Sequence, residues 1–249
     1  MIIKDSLLIL FIHLERTGGS TVNSWFGSTV KYFNAGVNYF EYRFDSPIAI
    51  PADSLVNPRV AYLHGHFSLS QAMAIDGVSQ FEKILIITIL RKPIDRIISG
   101  YRLWLRSPDW FPDLDGVAKT FPTYYAATKS LYSMNLACRR FSDTQNADLA
   151  IEILRRRFAI VGISEKITSF KSILGSRLNE LIPNFQLEGN AYKSNQGIEL
   201  NPQELEQHGL TSAQYEQILS DNSEDQRLYE ALFDSWYGMD RHNLRNLLA

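Results

Sequence analysis

Short apolar runs alternate along this chain with segments in which apolar residues recur at helical spacing. The apolar runs lie at 7–12, 60–63, 83–90 and 158–163. Continuous apolar runs of this length are typical of strands that are buried on both faces of a parallel sheet. Because these runs alternate with helical patterns, the sequence predicts an α/β fold with a central parallel sheet flanked by helices.

Size and composition narrow the class of protein further. With 249 residues, 45% of them hydrophobic, the chain can bury a sizeable core, and we expect a single domain over residues 1–249. A net charge of −2 gives no general attraction for nucleic acid. Because Cys138 is the single cysteine, an internal disulfide is excluded.

The first apolar run bears on where the protein works. Residues 7–12 are too few to span a bilayer. The run passes directly into His13, Glu15 and Arg16 without a small-residue cleavage site. We therefore interpret it as the first strand and expect a cytoplasmic protein without a transmembrane anchor.

A glycine turn flanked by hydroxyl groups follows that first strand, in the sequence FIHLERTGGST at 11–21. Glycines let backbone N–H groups approach a ligand closely, and the helix expected next adds a dipole that favours anions. Arg16 contributes a positive charge. The turn therefore predicts a phosphate- or sulfate-binding loop, with an ordinary strand-to-helix turn as the alternative. An ATP-binding P-loop would have lysine where this chain has Ser20.

A second segment supports anion binding. Arg91 directly follows the apolar run at 83–90, and Pro93 marks the start of a helix. The carboxyl end of a strand is where ligands bind in open α/β sheets, so Arg91 and Ser99 are candidate anion ligands. We expect the face of this helix that carries Ile94, Ile97, Ile98 and Tyr101 to be buried. Arg96 and Arg102 are expected on its solvated face.

Two histidines follow the apolar run at 60–63, namely His64 and His66. A histidine titrates near neutral pH and therefore suits general-base catalysis. Metal binding is the weaker hypothesis, because Cys138, the single cysteine, lies far away in sequence. A purely structural role stays open for His64.

These segments together resemble the PAPS-dependent sulfotransferases, where PAPS is 3′-phosphoadenosine 5′-phosphosulfate. The greatest similarity is to the family that contains the heparan sulfate 2-O-sulfotransferases and related bacterial proteins. Its first motif is approximately P-K-T-[GA]-[GS]-[ST]-[ST], and residues 15–21 read ERTGGST. Its second motif is approximately [IL]-R-[DN]-P-[IV]-[ED]-R-x-x-S-x-[YF], and residues 90–101 read LRKPIDRIISGY. The chain departs from the motifs at Glu15, Arg16 and Lys92.

The resemblance implies roles for particular residues. It implies that His66 is the general base, supported by His64, and that Arg16 stabilises charge on the leaving group. A later segment at 192–195 resembles the loop that closes over the cofactor. The implied cofactor-binding residues are Arg16, Thr17, Gly18, Gly19, Ser20, Thr21, Arg91, Ser99, Lys193 and Ser194.

The implied donor is PAPS and the implied product is adenosine 3′,5′-bisphosphate, with no metal ion. The acceptor is expected to be a hydroxyl group of a glycan or small molecule, with carbohydrate favoured by the resemblance. Aromatic, proline-bearing stretches at 34–57 and 107–122 are read as irregular loops that could recognise it. A local basic groove would draw on Arg102, Arg106, Arg139 and Arg140, although surface solvation also accounts for these four.

Two other functions stay open from the sequence. A P-loop-like nucleotide kinase would share the expected P-loop-like fold, but it should have a lysine after the last glycine and a strand-end aspartate for magnesium. A catalytically silent nucleotide-binding protein would keep the cofactor pocket without the catalytic activity. The presence of both histidines and Ser99 favours the enzyme over the silent protein.

Overall fold

A parallel sheet forms the centre of the fold. The computed structural model describes residues 2–32, 37–42, 60–189, 206 and 209–238. Within these residues, five parallel strands form one sheet in the order β2-β3-β1-β4-β5. The strands are β1 (Ile3–Ile12), β2 (Val37–Tyr42), β3 (Val60–Gly65), β4 (Phe81–Leu90) and β5 (Ile160–Ile163).

Helices cover both faces of the sheet, so the predicted α/β class is confirmed. They are α1 (Gly19–Tyr32), α2 (Leu69–Ala74), α3 (Pro93–Arg106), α4 (Phe121–Thr128), α5 (Leu136–Ser142), α6 (Ala147–Arg157), α7 (Ile167–Leu181), α8 (Ser212–Asp221) and α9 (Ser223–Gly238). None of the helices in the described ranges is long and apolar enough to cross a membrane.

The two expected loops contain more regular structure than the sequence suggested. The interpretation of 34–57 as irregular is wrong at Val37–Tyr42, which pairs in parallel with β3 as an edge strand. Its mixed pattern of aromatic and polar residues hid it from the search for apolar runs. The rest of that stretch lies outside the described residues. The stretch at 107–122 contains two 3-10 turns, Pro108–Trp110 and Pro112–Leu114.

Alternate residues of β1 pack into two separate cores. Leu8, Leu10 and Ile12 face a cluster that includes residues of α2, α5, α6 and α9. Leu7, Ile9 and Phe11 face a second cluster with α1 and α7. A strand that is buried on both faces reads as a continuous apolar run, which explains why the sequence revealed it. A third cluster joins α3, α4 and α8.

The sheet order brings three loops to one place. β1 lies between β3 and β4, and the chain passes to opposite sides of β1 to form the two halves of the sheet. In open α/β sheets this reversal creates a crevice at the carboxyl ends of the strands. The residues that follow β1, β3 and β4 therefore converge, and they include Arg16, His66 and Arg91.

Arg96 is buried, and its expected place on a solvated face is wrong. Only 4% of Arg96 is exposed, and its Nη2 donates to the Ser133 carbonyl at 2.7 Å. Asp225 Oδ2 lies 3.8 Å from the same nitrogen. Asp225 also accepts backbone N–H bonds from Ala137 and Cys138 at the start of α5. The contacts of Arg96 with Ser133 and with Asp225 of α9 accompany this burial, which helical periodicity within α3 could not reveal.

We predict that Arg96→Met destabilises the fold by about 3 kcal/mol, because it leaves the buried Asp225 carboxylate without its cation. Chemical denaturation would measure the free energy of unfolding. The matched control is Arg102→Met on the same helix, which should change that free energy by less than about 0.5 kcal/mol. Equal losses in the two variants would contradict a special role for the buried pair.

Candidate functional site

The loop between β1 and α1 has an unusual backbone. Arg16 adopts a φ of 65°, a left-handed conformation that is uncommon for a residue with a side chain, and Gly18 has a φ of 105°. The Thr17 hydroxyl donates to the Leu14 carbonyl at 2.9 Å inside the turn. The Thr21 N–H donates to the Gly18 carbonyl at 3.0 Å as α1 begins. These two bonds hold the turn closed and connect it to the first turn of α1.

The structure brings Arg91 and Ser99 to this loop. Arg16 Nε donates to Ser99 Oγ at 3.1 Å, which ties the loop to α3. Arg91 Nη1 donates to the Arg16 carbonyl oxygen at 3.1 Å. Residues that are 83 and 75 positions apart along the chain therefore form one group of donors.

Positive charge is concentrated around Arg16. Burial lowers the pKa of the Arg16 guanidinium from its ordinary value, and the positive charges of Arg91 and Arg106 lower it further. Like charges that are held together in a partly buried site favour the entry of an anion. A phosphate or sulfate beside α1 fits this arrangement of side chains and helix dipole.

His66 lies beside the loop with a defined tautomer. Its Nδ1 is 2.9 Å from the His13 carbonyl oxygen, so this nitrogen must donate. A neutral His66 ring therefore carries its proton on Nδ1, and Nε2 is the nitrogen that can accept one. The His66 side chain is 33% exposed, which makes it accessible to a substrate.

His64 differs from His66 in being buried and in carrying its proton on the other ring nitrogen. Only 3% of this residue is exposed, and its Nδ1 accepts a bond from Asn23 Nδ2 at 3.0 Å. Asn23 Oδ1 in turn accepts from the Tyr62 hydroxyl at 2.7 Å. The neutral His64 ring therefore carries its proton on Nε2. The two histidines differ in burial and in tautomer.

His13 is a site residue that the sequence analysis missed. Its ring centroid is 4.3 Å from that of His66, and a Cβ on Gly19 would collide with the His13 ring. Gly19 is therefore needed in part to admit this ring. Burial and the positive charges of His66, His64 and Arg16 hold the pKa of His13 well below its ordinary value. His13 is therefore neutral at physiological pH.

Glu15 and Arg140 form an ion pair that the sequence analysis did not predict. Arg140 Nη2 donates to Glu15 Oε1 at 2.8 Å, and the same oxygen is 3.7 Å from His66 Nδ1. The Arg140 side chain is 13% exposed, so its expected surface solvation is not what the structure shows. No signal in a single sequence links residues 125 positions apart.

Tyr124 approaches the loop from α4. A Cβ on Gly100 would collide with the Tyr124 hydroxyl, so the glycine allows α3 and α4 to meet here. Burial raises the pKa of Tyr124 to about 12, and the hydroxyl therefore stays protonated at neutral pH. The charge on Arg16 acts against this increase, which places the hydroxyl within electrostatic reach of the loop.

The remaining predicted ligands differ in what the structure shows. Ser20 is exposed at the start of α1, whereas Thr17 and Thr21 are buried. Lys193 and Ser194 lie outside the described residues, as does the expected closing loop. Within the described part of the chain, no group of three or more His, Cys, Asp or Glu side chains could hold a metal ion.

A separate cavity of about 440 Å³ lies between α3, α8 and α9. Its walls include Lys92, Ile94, Tyr215, Leu219 and Gln226. None of the predicted catalytic or cofactor-binding residues lines it. The candidate site is therefore defined by its converging polar groups and not by this cavity.

Comparisons with known proteins add little to this geometry. No protein-family model matches the chain, and no curated protein matches it. Among solved structures, the chain is similar to the crystal structure of mouse sulfotransferase SULT7A1 complexed with PAP, at 14% sequence identity and a TM-score of 0.41. The match covers 92% of this chain and 90% of the mouse chain. Both values are too low to assign an activity, and membership of the heparan sulfate 2-O-sulfotransferase family has no support beyond the short motifs.

The conformation of Gly18 provides a test of the loop. We predict that Gly18→Ala destabilises the fold by about 1–3 kcal/mol, because φ near 105° is strained for any residue with a side chain. The new Cβ would also lie 2.9 Å from Ile167 Cδ1. Chemical denaturation measures the change.

Gly27→Ala is the matched control for this variant. Gly27 lies within α1, and a Cβ there would have no heavy atom within 4 Å. Alanine should therefore stabilise the helix by about 0.5–1 kcal/mol. If Gly18→Ala were as stable as Gly27→Ala, the described loop conformation would be contradicted.

Proposed function

We propose that this protein is a sulfotransferase that moves a sulfuryl group from PAPS to an acceptor hydroxyl. The observation that carries the proposal is the meeting of Arg16, Arg91 and Ser99 at the N-terminus of α1. PAPS carries a 5′-phosphosulfate and a 3′-phosphate, so its binding requires two anion sites close together. We assign these two sites to the loop at 16–21 and to the pair Arg91 and Ser99.

The 5′-phosphosulfate is assigned to the loop at 16–21. Backbone N–H groups of Gly18, Gly19 and Ser20 and the dipole of α1 favour an anion at this position. Since the Thr17 hydroxyl is used inside the turn, its binding role falls to its backbone N–H. Arg16 stabilises negative charge on the leaving group, but it cannot donate a proton.

The 3′-phosphate is assigned to Arg91 and Ser99. A guanidinium has five N–H donors in a planar fork, so one bond to the Arg16 carbonyl is compatible with a bidentate contact to phosphate. Ser99 Oγ already accepts from Arg16 Nε. Its own hydroxyl proton can therefore be given to the phosphate. Lys193 and Ser194 are proposed to complete the site from the later segment.

His66 is proposed as the general base. As the acceptor oxygen bonds to sulfur, its proton moves to His66 Nε2 and the bond between sulfur and the 5′-phosphate oxygen breaks. The leaving group is adenosine 3′,5′-bisphosphate. The contact of His66 Nδ1 with the His13 carbonyl supports this role, because it keeps Nε2 available in the neutral ring. His64 is assigned a supporting role through Asn23.

The loop chemistry favours sulfuryl over phosphoryl transfer. A transferred sulfuryl group carries less charge than a phosphoryl group, so fixed cations and backbone N–H groups can stabilise it without a metal. The strands at the crevice are followed by His13, His66 and Arg91, none of which is a typical magnesium ligand. Ser20 also replaces the lysine of an ATP-binding loop.

A carbohydrate hydroxyl is proposed as the acceptor. Trp110 is 72% exposed in the turn that follows α3, and exposed aromatic rings can stack on sugar rings. Arg106, at the end of α3, is within electrostatic reach of Arg16. Trp110 follows Arg106 by four residues, in the first turn after α3. A panel of glycans and small alcohols assayed with labelled donor would identify the acceptor.

We predict that adenosine 3′,5′-bisphosphate binds at least about tenfold more tightly than ADP, because charge-assisted bonds to the 3′-phosphate each contribute about 1.5–3 kcal/mol. Isothermal titration calorimetry would measure both affinities. Arg91→Gln should remove most of the preference, whereas Arg155→Gln on the exposed face of α6 should leave it unchanged. Equal affinity of the unmodified protein for both nucleotides would contradict the proposed 3′-phosphate site.

We predict that His66→Ala lowers turnover by about 10²–10⁴-fold while affinity for the bisphosphate stays nearly unchanged, because a general base acts on the acceptor and not on the nucleotide. His64→Ala should have a smaller effect on turnover. Labelled-sulfate transfer and calorimetry on both variants provide the measurement.

The reverse order, with His64→Ala inactive and His66→Ala active, would exchange their roles. Turnover should also persist in EDTA. If EDTA abolished transfer and magnesium restored it, the kinase alternative would be favoured. Bisphosphate binding without transfer to any acceptor on the panel would favour the silent binding protein.

A further inference from the structure

We infer that Glu15 is a positioning residue that stabilises the protonated form of His66, and that Arg140 holds Glu15 in place. The inference rests on the proposed role of His66 as the general base. It assigns a role to a residue that departs from the sulfotransferase motif, in which proline occupies this position. The role is electrostatic, and Glu15 does not touch the reacting atoms.

The geometry places a negative charge beside the correct nitrogen. Glu15 Oε1 is 3.7 Å from His66 Nδ1, while that Nδ1 donates to the His13 carbonyl at 2.9 Å. Glu15 therefore acts from the side of the ring opposite Nε2. When Nε2 accepts a proton from the acceptor hydroxyl, the positive charge spreads over the ring and is stabilised by the carboxylate.

Arg140 fixes the carboxylate from α5. Its Nη2 lies 2.8 Å from Glu15 Oε1, and both side chains are largely buried. Burial alone would raise the pKa of Glu15, but the positive charges of His66 and Arg140 outweigh burial and hold this pKa below its ordinary value. Glu15 is therefore ionised throughout the pH range in which a histidine titrates.

The other charged groups near His66 do not replace Glu15. The His13 ring contacts the His66 ring in a tilted arrangement, with centroids 4.3 Å apart. Burial and neighbouring positive charges lower the pKa of His13, so this ring is neutral. Arg140 and Arg16 are positive and would oppose protonation of His66. Glu15 supplies a negative charge 3.7 Å from His66 Nδ1.

One feature of Glu15 is difficult to explain by stability alone. Its second oxygen, Oε2, is buried and has no hydrogen-bond partner among the described residues. An incompletely satisfied buried carboxylate is costly to a fold. Such groups are concentrated at functional sites, where their charge acts on a neighbour.

The test is Glu15→Gln, which keeps the shape and lets the amide oxygen accept from Arg140. We expect kcat to fall about 10- to 100-fold, since a weaker base transfers the proton less readily. The acid limb of the kcat–pH profile should move to lower pH, because a carboxylate 3.7 Å from the His66 ring no longer stabilises its positive charge. Affinity for adenosine 3′,5′-bisphosphate should change less than about twofold, as the charge acts on His66.

Two further variants separate electrostatics from structure. Glu152→Gln removes a carboxylate that pairs with Arg156 on the exposed face of α6, and it should leave both kcat and the profile unchanged. Glu15→Asp keeps the charge and should retain the position of the acid limb better than Glu15→Gln. A loss of turnover in Glu15→Gln without movement of the acid limb would overturn the inference in favour of a purely structural tie.

A second measurement does not depend on sulfate transfer. Histidine ring resonances can be followed by NMR against pH in the bisphosphate-bound protein, with His66 assigned by its loss in His66→Ala. The His66 midpoint should lie at lower pH in Glu15→Gln than in the unmodified protein, because the nearby negative charge is removed. An unmoved midpoint overturns the inference. A moved midpoint in a protein that transfers no sulfate would retain the electrostatic coupling while rejecting the proposed function.

Discussion

The crowding of positive charge at the carboxyl ends of β1 and β4 is the constraint on which the site depends. The two strands are adjacent and in register, and Thr88 Oγ1 donates to the Ile12 carbonyl at 2.8 Å where they end. Arg16 and Arg91 then have little freedom to separate, and Arg91 is bonded to the backbone of Arg16 itself. An anion between the loop and α3 would relieve the repulsion between the two cations, so this arrangement of charges favours an anionic ligand.

β3, the strand on the other side of β1, positions the two histidines, one of which is the proposed general base. His64 lies within β3 and His66 directly follows its last residue, and the two side chains therefore have different surroundings. His64 is directed into the core cluster that contains Tyr62, whereas His66 follows the strand end and reaches the loop. Their opposite tautomers follow from these surroundings, because one ring faces an amide donor and the other faces a carbonyl acceptor.

Sequence patterns predicted the strands and helix starts that depend on residues close together in the chain. Apolar runs identified four strands because each is buried on both faces, and Pro93 marked the start of α3. The contacts of Arg96 and Glu15 could not be predicted, since each depends on a residue more than a hundred positions away. Whether an arginine is buried depends on which other segments pack against its helix, and the sequence of that helix alone does not indicate those segments. The edge strand at Val37–Tyr42 was missed because an edge position does not require a continuous apolar run.

The two departures from the first sulfotransferase motif have connected consequences in this structure. Arginine in place of lysine at position 16 removes a group that could give a proton to the leaving oxygen, so its contribution is limited to electrostatic stabilisation. Glutamate in place of proline at position 15 adds a backbone N–H and a carboxylate beside His66. For the proposed sulfuryl transfer, the two changes together would weaken acid catalysis at the leaving group and strengthen the base that faces the acceptor. Arg140, which comes from a distant helix, is what makes the second change possible, because without it the buried carboxylate would have no fixed cation.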